Sequence, residues 1–163
     1  MSGLSDEDRA RGMTNVTPAA MATRADGSFD PESFFRMIKH HGHSGAIGLE
    51  YRAHGADWVE VAMPWREELV GVPQSGIFAS GAIISLIDLA AGTSVWLKHR
   101  AFTPNATLDL RIDYLRPAPR GETVVARCRC TKITRQIAFV EGIAHVGDPE
   151  EPVARAALTF MST

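Results

Sequence analysis

The sequence predicts an α+β fold in which an antiparallel sheet packs against one long central helix. Three observations lead to this prediction. Residues 79–98 form a largely apolar run of helical length, two strand-like segments precede it, and four more follow it. Strands that are grouped together, rather than each followed by a helix, indicate an antiparallel sheet. The 163 residues are enough for one domain with its own core.

The N-terminal part of the chain is predicted to hold a leader and a first helix. Residues 1–30 carry scattered charges without a hydrophobic period, so we expect a loosely ordered leader ahead of a folded domain at 31–163. A helix is expected to begin at residues 30–32, Asp-Pro-Glu, because Asp is a common N-cap and Pro fits the first helical position. Gly42 is the expected end of this helix.

The middle of the chain is predicted to contain two strands, a loop and the central helix. The two strands lie in residues 46–65 and are joined by a turn at 54–57. Residues 69–78 are expected to form a loop because they contain Gly71, Pro73 and Gly76. The central helix follows directly at 79–98.

Four further strands are predicted after the helix, at residues 107–115, 122–134, 137–146 and 152–161. The first of them alternates, with one apolar face formed by Leu108, Leu110, Ile112 and Tyr114. The second and third are separated by a bend at residues 135–136, and a turn at 147–150 precedes the last.

Composition and charge exclude several classes of function. The formal net charge of −2 argues against a dedicated nucleic-acid-binding protein, because phosphate contacts need a basic excess. Cys128 and Cys130 cannot easily form a disulfide with each other and are too few for a structural zinc site. His40, His41 and His43 are interpreted as a solvated helix end, so no metal site is predicted. The sequence shows no signal peptide and no uninterrupted apolar span, so we expect a cytoplasmic protein that is not bound to a membrane.

Asp88 is the one charged residue between Gly71 and Leu97. An ionised carboxylate in an apolar helix is costly unless it is paired, hydrogen-bonded or hydrated. At about 100° per residue, the residues that share its helix face are mostly small: Gly81, Ile84, Ser85, Ala91, Gly92 and Val95. A ligand or a partner element can therefore approach it closely. Two interpretations are open: an Asp that bonds the local backbone, or a general base or nucleophile in a groove.

The N-terminus of the same helix is a second candidate site. Gly76, Ser80 and Gly81 cluster where the first backbone N–H groups of the helix have no partner within it. Such an end can bind an anion or stabilise an oxyanion, and Gly76 and Gly81 are predicted to contact the substrate there. The competing interpretation is a capping Ser with turn glycines.

Two segments carry a resemblance to a known family. Residues 71–92 resemble the central-helix signature of the hotdog-fold acyl-CoA thioesterases, and residues 107–118 resemble the strand that follows this helix. The chain is most similar to the branch that includes the phenylacetate-pathway thioesterases, over about residues 45–162. The resemblance implies a hotdog fold, in which the antiparallel sheet wraps around the central helix, and hydrolysis of a thioester to a carboxylate and coenzyme A.

The resemblance also implies roles for particular residues. Asp88 would activate water or attack the thioester, and the backbone N–H of Ser80 would polarise the thioester carbonyl. Thr107 would help to orient the water. Lys132 and Arg135 would meet the phosphates of coenzyme A. No cofactor is implied.

One part of the family pattern differs in this chain. The usual His-Gly-Gly run before the helix is Ala79-Ser80-Gly81, which removes the imidazole and adds a Cβ at residue 80. An acyl-CoA-binding or regulatory hotdog domain without catalysis is therefore the alternative function. A hotdog hydratase or dehydratase fits less well, because such sites rely on a His and an acid, and His99 lies at the far end of the helix.

Helix geometry adds an expectation about assembly, provided that the protein is a thioesterase. Ser80 and Asp88 are separated by eight residues, or about 12 Å along a helix axis, whereas both groups must lie within about 3.5 Å of one reacting carbonyl group. One helix cannot supply both, so the sequence predicts a homodimer whose sites combine Asp88 of one chain with Ser80 of the other. Whether two dimers form a homotetramer is left open.

Overall fold

The structure is a computed structural model that describes residues 22–162. Within these residues the α-helices are α1 at Pro31–Ile38, α2 at Gly42–Ala46 and α3 at Ser80–His99, and a short 3-10 helix covers Glu67–Leu69. The strands are β1 at Glu50–His54, β2 at Trp58–Met63, β3 at Val70–Val72, β4 at Ile77–Phe78, β5 at Asn105–Tyr114, β6 at Val124–Ile133, β7 at Ile137–His145 and β8 at Pro152–Ser162.

Six of the strands form one antiparallel sheet in the order β1-β2-β6-β7-β8-β5, and β3 and β4 form a separate hairpin. All five pairings within the large sheet are antiparallel. Helix α3 packs against the sheet through contacts with β2, β5, β6, β7 and β8. The predicted α+β architecture is confirmed, and it is the hotdog arrangement of a sheet around one central helix.

Helix α3 is the core element of the domain. Its fully buried side chains include Leu86, Ile87, Ala90, Ala91 and Val95, which pack among the β-branched and small residues of the sheet. By length and composition alone this helix could cross a membrane, but more than half of it is buried within the fold. Burial against the sheet therefore accounts for its apolar composition.

Three predicted features differ from the structure. Gly42 does not end a helix but begins α2, with a positive φ of 60° just after the turn. The predicted loop at 69–78 contains the β3–β4 hairpin. In β5 the register with β8 shifts between Thr107 and Asp109, and Leu108 is 50% exposed. A bulge inserts one extra residue, so the simple alternation predicted for this strand fails at Leu108.

The predicted leader is described only in part. Residues 1–21 lie outside the described residues. Residues 22–30 form a turn closed by a bridge between Thr23 and Phe29, and Phe29 is buried with its ring 5.5 Å from that of Trp96. Phe29 is therefore part of the hydrophobic core. The division between a leader at 1–30 and a domain at 31–163 stays a prediction.

His145 on β7 gives the first testable prediction. Its side chain is only 5% exposed, and neither ring nitrogen has a hydrogen-bond partner among the described protein atoms. Burial lowers the pKa of this imidazole, an effect that nearby Glu60 and Asp148 oppose and Arg127 and Arg52 reinforce. The stability contributed by the neutral ring is therefore present above the unfolded-state pKa of about 6.5 and is lost as pH falls through the folded-state pKa.

We expect the free energy of unfolding to depend less on pH in His145→Leu than in the wild type. Urea denaturation from about pH 7.5 down to about pH 5 measures the difference, because the wild type must protonate a buried ring on that path. The same substitution at exposed His40 serves as the control. An unchanged pH dependence in His145→Leu would contradict the assignment.

Candidate active site

Asp88 and Thr107 meet at the surface of the central helix. Thr107 Oγ1 donates a hydrogen bond of 2.8 Å to Asp88 Oδ1. Thr107 pairs with Phe160 of β8, whose buried ring lies against α3 near Gly92, so the fold brings this part of β5 alongside the helix. The contact joins two residues that the sequence separates by nineteen positions.

The surroundings of Asp88 leave its carboxylate accessible. The carboxylate is partly exposed, and its hydrogen bond goes to a distant side chain rather than to the local backbone. No ion pair among the described residues involves Asp88. A partly exposed carboxylate with one oxygen held by a hydroxyl can accept a proton from water.

The helix face next to Asp88 is open in the single chain. Gly81 is exposed, Ile84 is 40% exposed and Ser85 is partly exposed. A Cβ added to Gly81 would meet nothing within 4 Å. Farther along, Gly92 is covered, and its carbonyl oxygen accepts a 3.2 Å hydrogen bond from Asn105 Nδ2. The small-residue face is therefore accessible on its N-terminal side and closed on its C-terminal side.

The N-terminus of α3 presents backbone rather than a capping side chain. Ala79 is the N-cap residue and makes no side-chain cap, while its N–H donates to Leu69 O at 2.8 Å. Ser80 is the first helical residue and is exposed. Its carbonyl oxygen accepts a 3.0 Å hydrogen bond from Tyr114 Oη, whose pKa is raised by burial. Because the first N–H groups of a helix have no partner within the helix, the Ser80 N–H can interact with an anion.

The other predicted site residues are placed differently. Gly76 has a φ of 65° and is buried, and a Cβ there would lie 2.5 Å from Arg120 Cδ. The geometry explains Gly76 as a turn residue and gives no support to its predicted contact with a substrate. Gly81, in contrast, lies on the open face beside Ser80.

Lys132 and Arg135 lie at the end of β6 and in the turn after it, and both are exposed. Lys132 pairs with Phe139, Phe139 with Thr159, and Thr159 with Asp109. Three strand spacings therefore separate Lys132 from Asp109, or about 14 Å. The two cations share one end of the sheet with Thr107 but do not contact Asp88.

The two cysteines are not candidates for a nucleophile. Both are free and buried, and Cys128 Sγ donates to Ile87 O at 3.7 Å. Burial, reinforced by the negative charge of Asp88, strongly raises the pKa of the Cys128 thiol, and burial raises that of Cys130 to about 11. Both thiols therefore stay protonated near neutral pH. Among the described residues, no group of three or more His, Cys, Asp or Glu side chains could hold a metal ion.

Two contacts near the site were not predicted from the sequence. Tyr114 binds the first turn of α3, and His43 Nε2 lies 3.0 Å from Ser85 Oγ on the Asp88 face. The sequence carries no local signal for either contact, because each joins residues more than thirty positions apart.

The fold and this site define a class of protein: a hotdog domain with a hydroxyl-bonded, partly exposed carboxylate on its central helix. The sequence model of the thioesterase superfamily matches residues 76–153. The Escherichia coli medium/long-chain acyl-CoA thioesterase YigI is 26% identical over 138 residues, covering 77% of this chain and 88% of YigI. The chain belongs to the thioesterase superfamily.

Solved structures share the fold of this chain. A Pseudomonas aeruginosa protein is 31% identical and superimposes with a TM-score of 0.70, covering 78% of this chain and 95% of its own. The Escherichia coli PaaI protein from the phenylacetic acid degradation operon superimposes with a TM-score of 0.67 at 16% identity, covering 78% of this chain and 88% of its own. The likeness to PaaI shows the shared fold, and membership of its branch stays a prediction.

Proposed function

We propose that the protein is an acyl-CoA thioesterase that hydrolyses a thioester to a carboxylate and coenzyme A. The observation that carries the proposal is the 2.8 Å hydrogen bond from Thr107 to Asp88 on an open helix face, in a chain of the thioesterase superfamily. The acyl-CoA substrate class is supported by the likeness to YigI, which is named for medium- and long-chain acyl-CoA.

Asp88 is proposed to act as the general base. Thr107 donates its hydroxyl hydrogen bond to Asp88 Oδ1, so the Thr107 oxygen can accept a hydrogen bond from a water molecule that also reaches Asp88 Oδ2. That water adds to the thioester carbonyl carbon as its proton passes to Asp88. The C–S bond then breaks, and its electron pair leaves with the sulfur. Direct attack by Asp88 remains the alternative mechanism, but it would not need the hydroxyl of Thr107.

The oxyanion that forms in this step needs a donor, and Ser80 of the same chain is too far from Asp88 to supply it. Ser80 and Asp88 lie at the first and ninth positions of the same α3 helix, about 12 Å apart along its axis. We therefore propose a homodimer in which the Ser80 N–H of the partner chain stabilises the oxyanion. In support, β5 is an edge strand of the sheet, and apolar Leu108, Tyr114 and Leu115 are each about half exposed beside the site. Pairing of two dimers remains open.

An apolar groove at the helix N-terminus supports an acyl substrate. It has a volume of about 340 Å³ and lies beside Ser80; its apolar lining includes Ile77, Phe78, Ile83, Tyr114 and Leu115. Burial of a hydrocarbon chain in such a groove releases about 25 cal/mol per Å² of apolar surface. The proposed site therefore joins an apolar groove to a polar reaction centre.

A non-catalytic acyl-CoA-binding domain is the second candidate function. It is favoured by Ala79, whose methyl group can donate no hydrogen bond to a thioester. A panel of acyl-CoAs of increasing chain length, assayed with a thiol reagent and in parallel by calorimetry, separates the two. Turnover that rises with chain length supports the thioesterase, binding without turnover supports the second candidate, and neither binding nor turnover contradicts both.

The phosphates of coenzyme A are proposed to lie near Lys132 and Arg135. Neither residue forms an ion pair among the described residues, so both charges are available to a ligand. The double variant Lys132→Ala/Arg135→Ala should raise KM for acyl-CoA about tenfold, since charge-assisted hydrogen bonds are lost. Pantetheine thioesters, which lack those phosphates, should be nearly unaffected. Arg155→Ala on the outer sheet face is the matched control, and an equal effect on both substrate types would contradict the assignment.

Two further expectations complete the proposal. Hydrolysis by Asp88 and water requires no cofactor. The buried free thiols of Cys128 and Cys130 suit a reducing compartment, which supports a cytoplasmic location.

A further inference from the structure

His43 contacts Ser85, on the Asp88 face of α3, from a helix that buries none of its own residues. Helix α2 has five residues and no buried side chain, so apolar packing does not fix its position. Instead α2 lies close to the chain that follows α1, since a Cβ on Gly45 would lie 2.9 Å from the backbone of His40. Buried Ile47 and Leu49 then anchor the chain directly after α2. His43 is therefore exposed but held in place by its surroundings.

The hydrogen bonds around Ser85 orient the imidazole of His43. Ser85 Oγ donates to Gly81 O at 3.0 Å, so its lone pairs face His43 Nε2, also at 3.0 Å. Nε2 therefore carries a hydrogen and donates a hydrogen bond to Ser85 Oγ. The other ring nitrogen, Nδ1, makes no hydrogen bond to the residues that the structure describes. This nitrogen is free to act on a ligand.

The position of Ser85 places this imidazole one helical turn from Asp88. The two residues are three positions apart on the same face, which corresponds to about 4.5 Å along the helix axis. Because Gly81 and Ile84 leave this face open, the face is accessible to a thioester from the side on which His43 lies. Exposed His40 and His41, in the same segment, have no such contact with α3.

We propose that His43 is a catalytic residue that donates a proton to the departing sulfur, a role that rests on the proposed thioesterase function. Water adds to the carbonyl carbon as Asp88 takes one of its protons. When the C–S bond breaks, its electron pair goes to sulfur, and the sulfur takes the Nδ1 proton of the His43 imidazolium. Asp88 then releases its proton to solvent, His43 regains one from solvent, and the products are a thiol and a carboxylic acid that ionises.

The test compares His43→Gln with His40→Gln on two kinds of thioester. Gln keeps a donor for Ser85 but has no transferable proton, and His40 is the matched exposed control. For acyl-CoA, kcat of His43→Gln should fall about tenfold. This loss is smaller than the usual contribution of a general acid, because a thiol with a pKa near 8.5 is a fairly good leaving group even without protonation. For a thioester of an acidic aryl thiol, which leaves without protonation, kcat should change much less.

The leaving-group comparison separates proton donation from a structural effect. An equal loss on both thioesters, or loss accompanied by a lower Tm, would contradict the proton-donor role. If the wild type turns over and the His43→Gln variant is equally active, the proton-donor role of His43 is contradicted, but the thioesterase proposal is not. Absence of turnover by the wild type on every thioester would contradict the thioesterase proposal and the role of His43 with it.

Discussion

Replacing Asp88 by Asn should lower kcat for the best acyl-CoA substrate by at least about 10²-fold. Asn has nearly the same shape and can keep the contact with Thr107, but it cannot take a proton from water. KM should change little, because the substrate contacts around the residue remain. Steady-state kinetics with a thiol reagent measures both constants.

Asp113→Asn is the matched control for Asp88→Asn. Asp113 is exposed on β5 and forms a 3.1 Å ion pair with Arg111 of the same strand. Asp113→Asn changes the net charge by one, as Asp88→Asn does, but it should leave kcat close to the wild-type value. Wild-type turnover in Asp88→Asn would show that Asp88 is not the base and that its bond to Thr107 serves structure alone.

Replacing Ser80 by Pro should remove the proposed oxyanion donor and lower kcat by about 10²–10³-fold, the usual cost of losing one such donor. Proline has no backbone N–H, yet it fits the first position of a helix. Ala79 has a ψ of 136°, which suits a residue that precedes proline. Ser80→Ala keeps the N–H and removes the hydroxyl, so it should lose much less activity. Equal losses in the two variants would contradict a backbone role.

The Ser80→Pro variant also tests whether the site is shared between two chains. A heterodimer of an Asp88→Asn chain and a Ser80→Pro chain contains one site with both groups intact, if each site takes them from different chains. Co-expression with two affinity tags yields this species. It should recover activity that neither homodimer has. No recovery in the purified heterodimer would show that the site lies within one chain or that the oxyanion donor lies elsewhere.

The fold could be predicted closely from local patterns. The helix at 79–98 was expected within one residue of α3, because a long apolar run without Pro or strand-like alternation has few other solutions. The last three strands, which are β-branched and bounded by turns, also match. The predictions missed two local features of the backbone, the bulge at Leu108 and the short helix that begins at Gly42. Neither has a clear signature in residue type.

For the candidate site, the sequence by itself determined that Asp88 is the one charged residue between Gly71 and Leu97 and that small residues share its helix face. Both features follow from the order of the residues alone. It also carried the family resemblance that pointed to Ser80 and Thr107. Only the tertiary structure decided which side chains meet: Thr107 with Asp88, Tyr114 with the Ser80 carbonyl, and His43 with Ser85. Each of these contacts joins residues 19 to 42 positions apart. Sequence patterns report the faces of single elements, whereas the position of one element on another depends on the packing of the whole core.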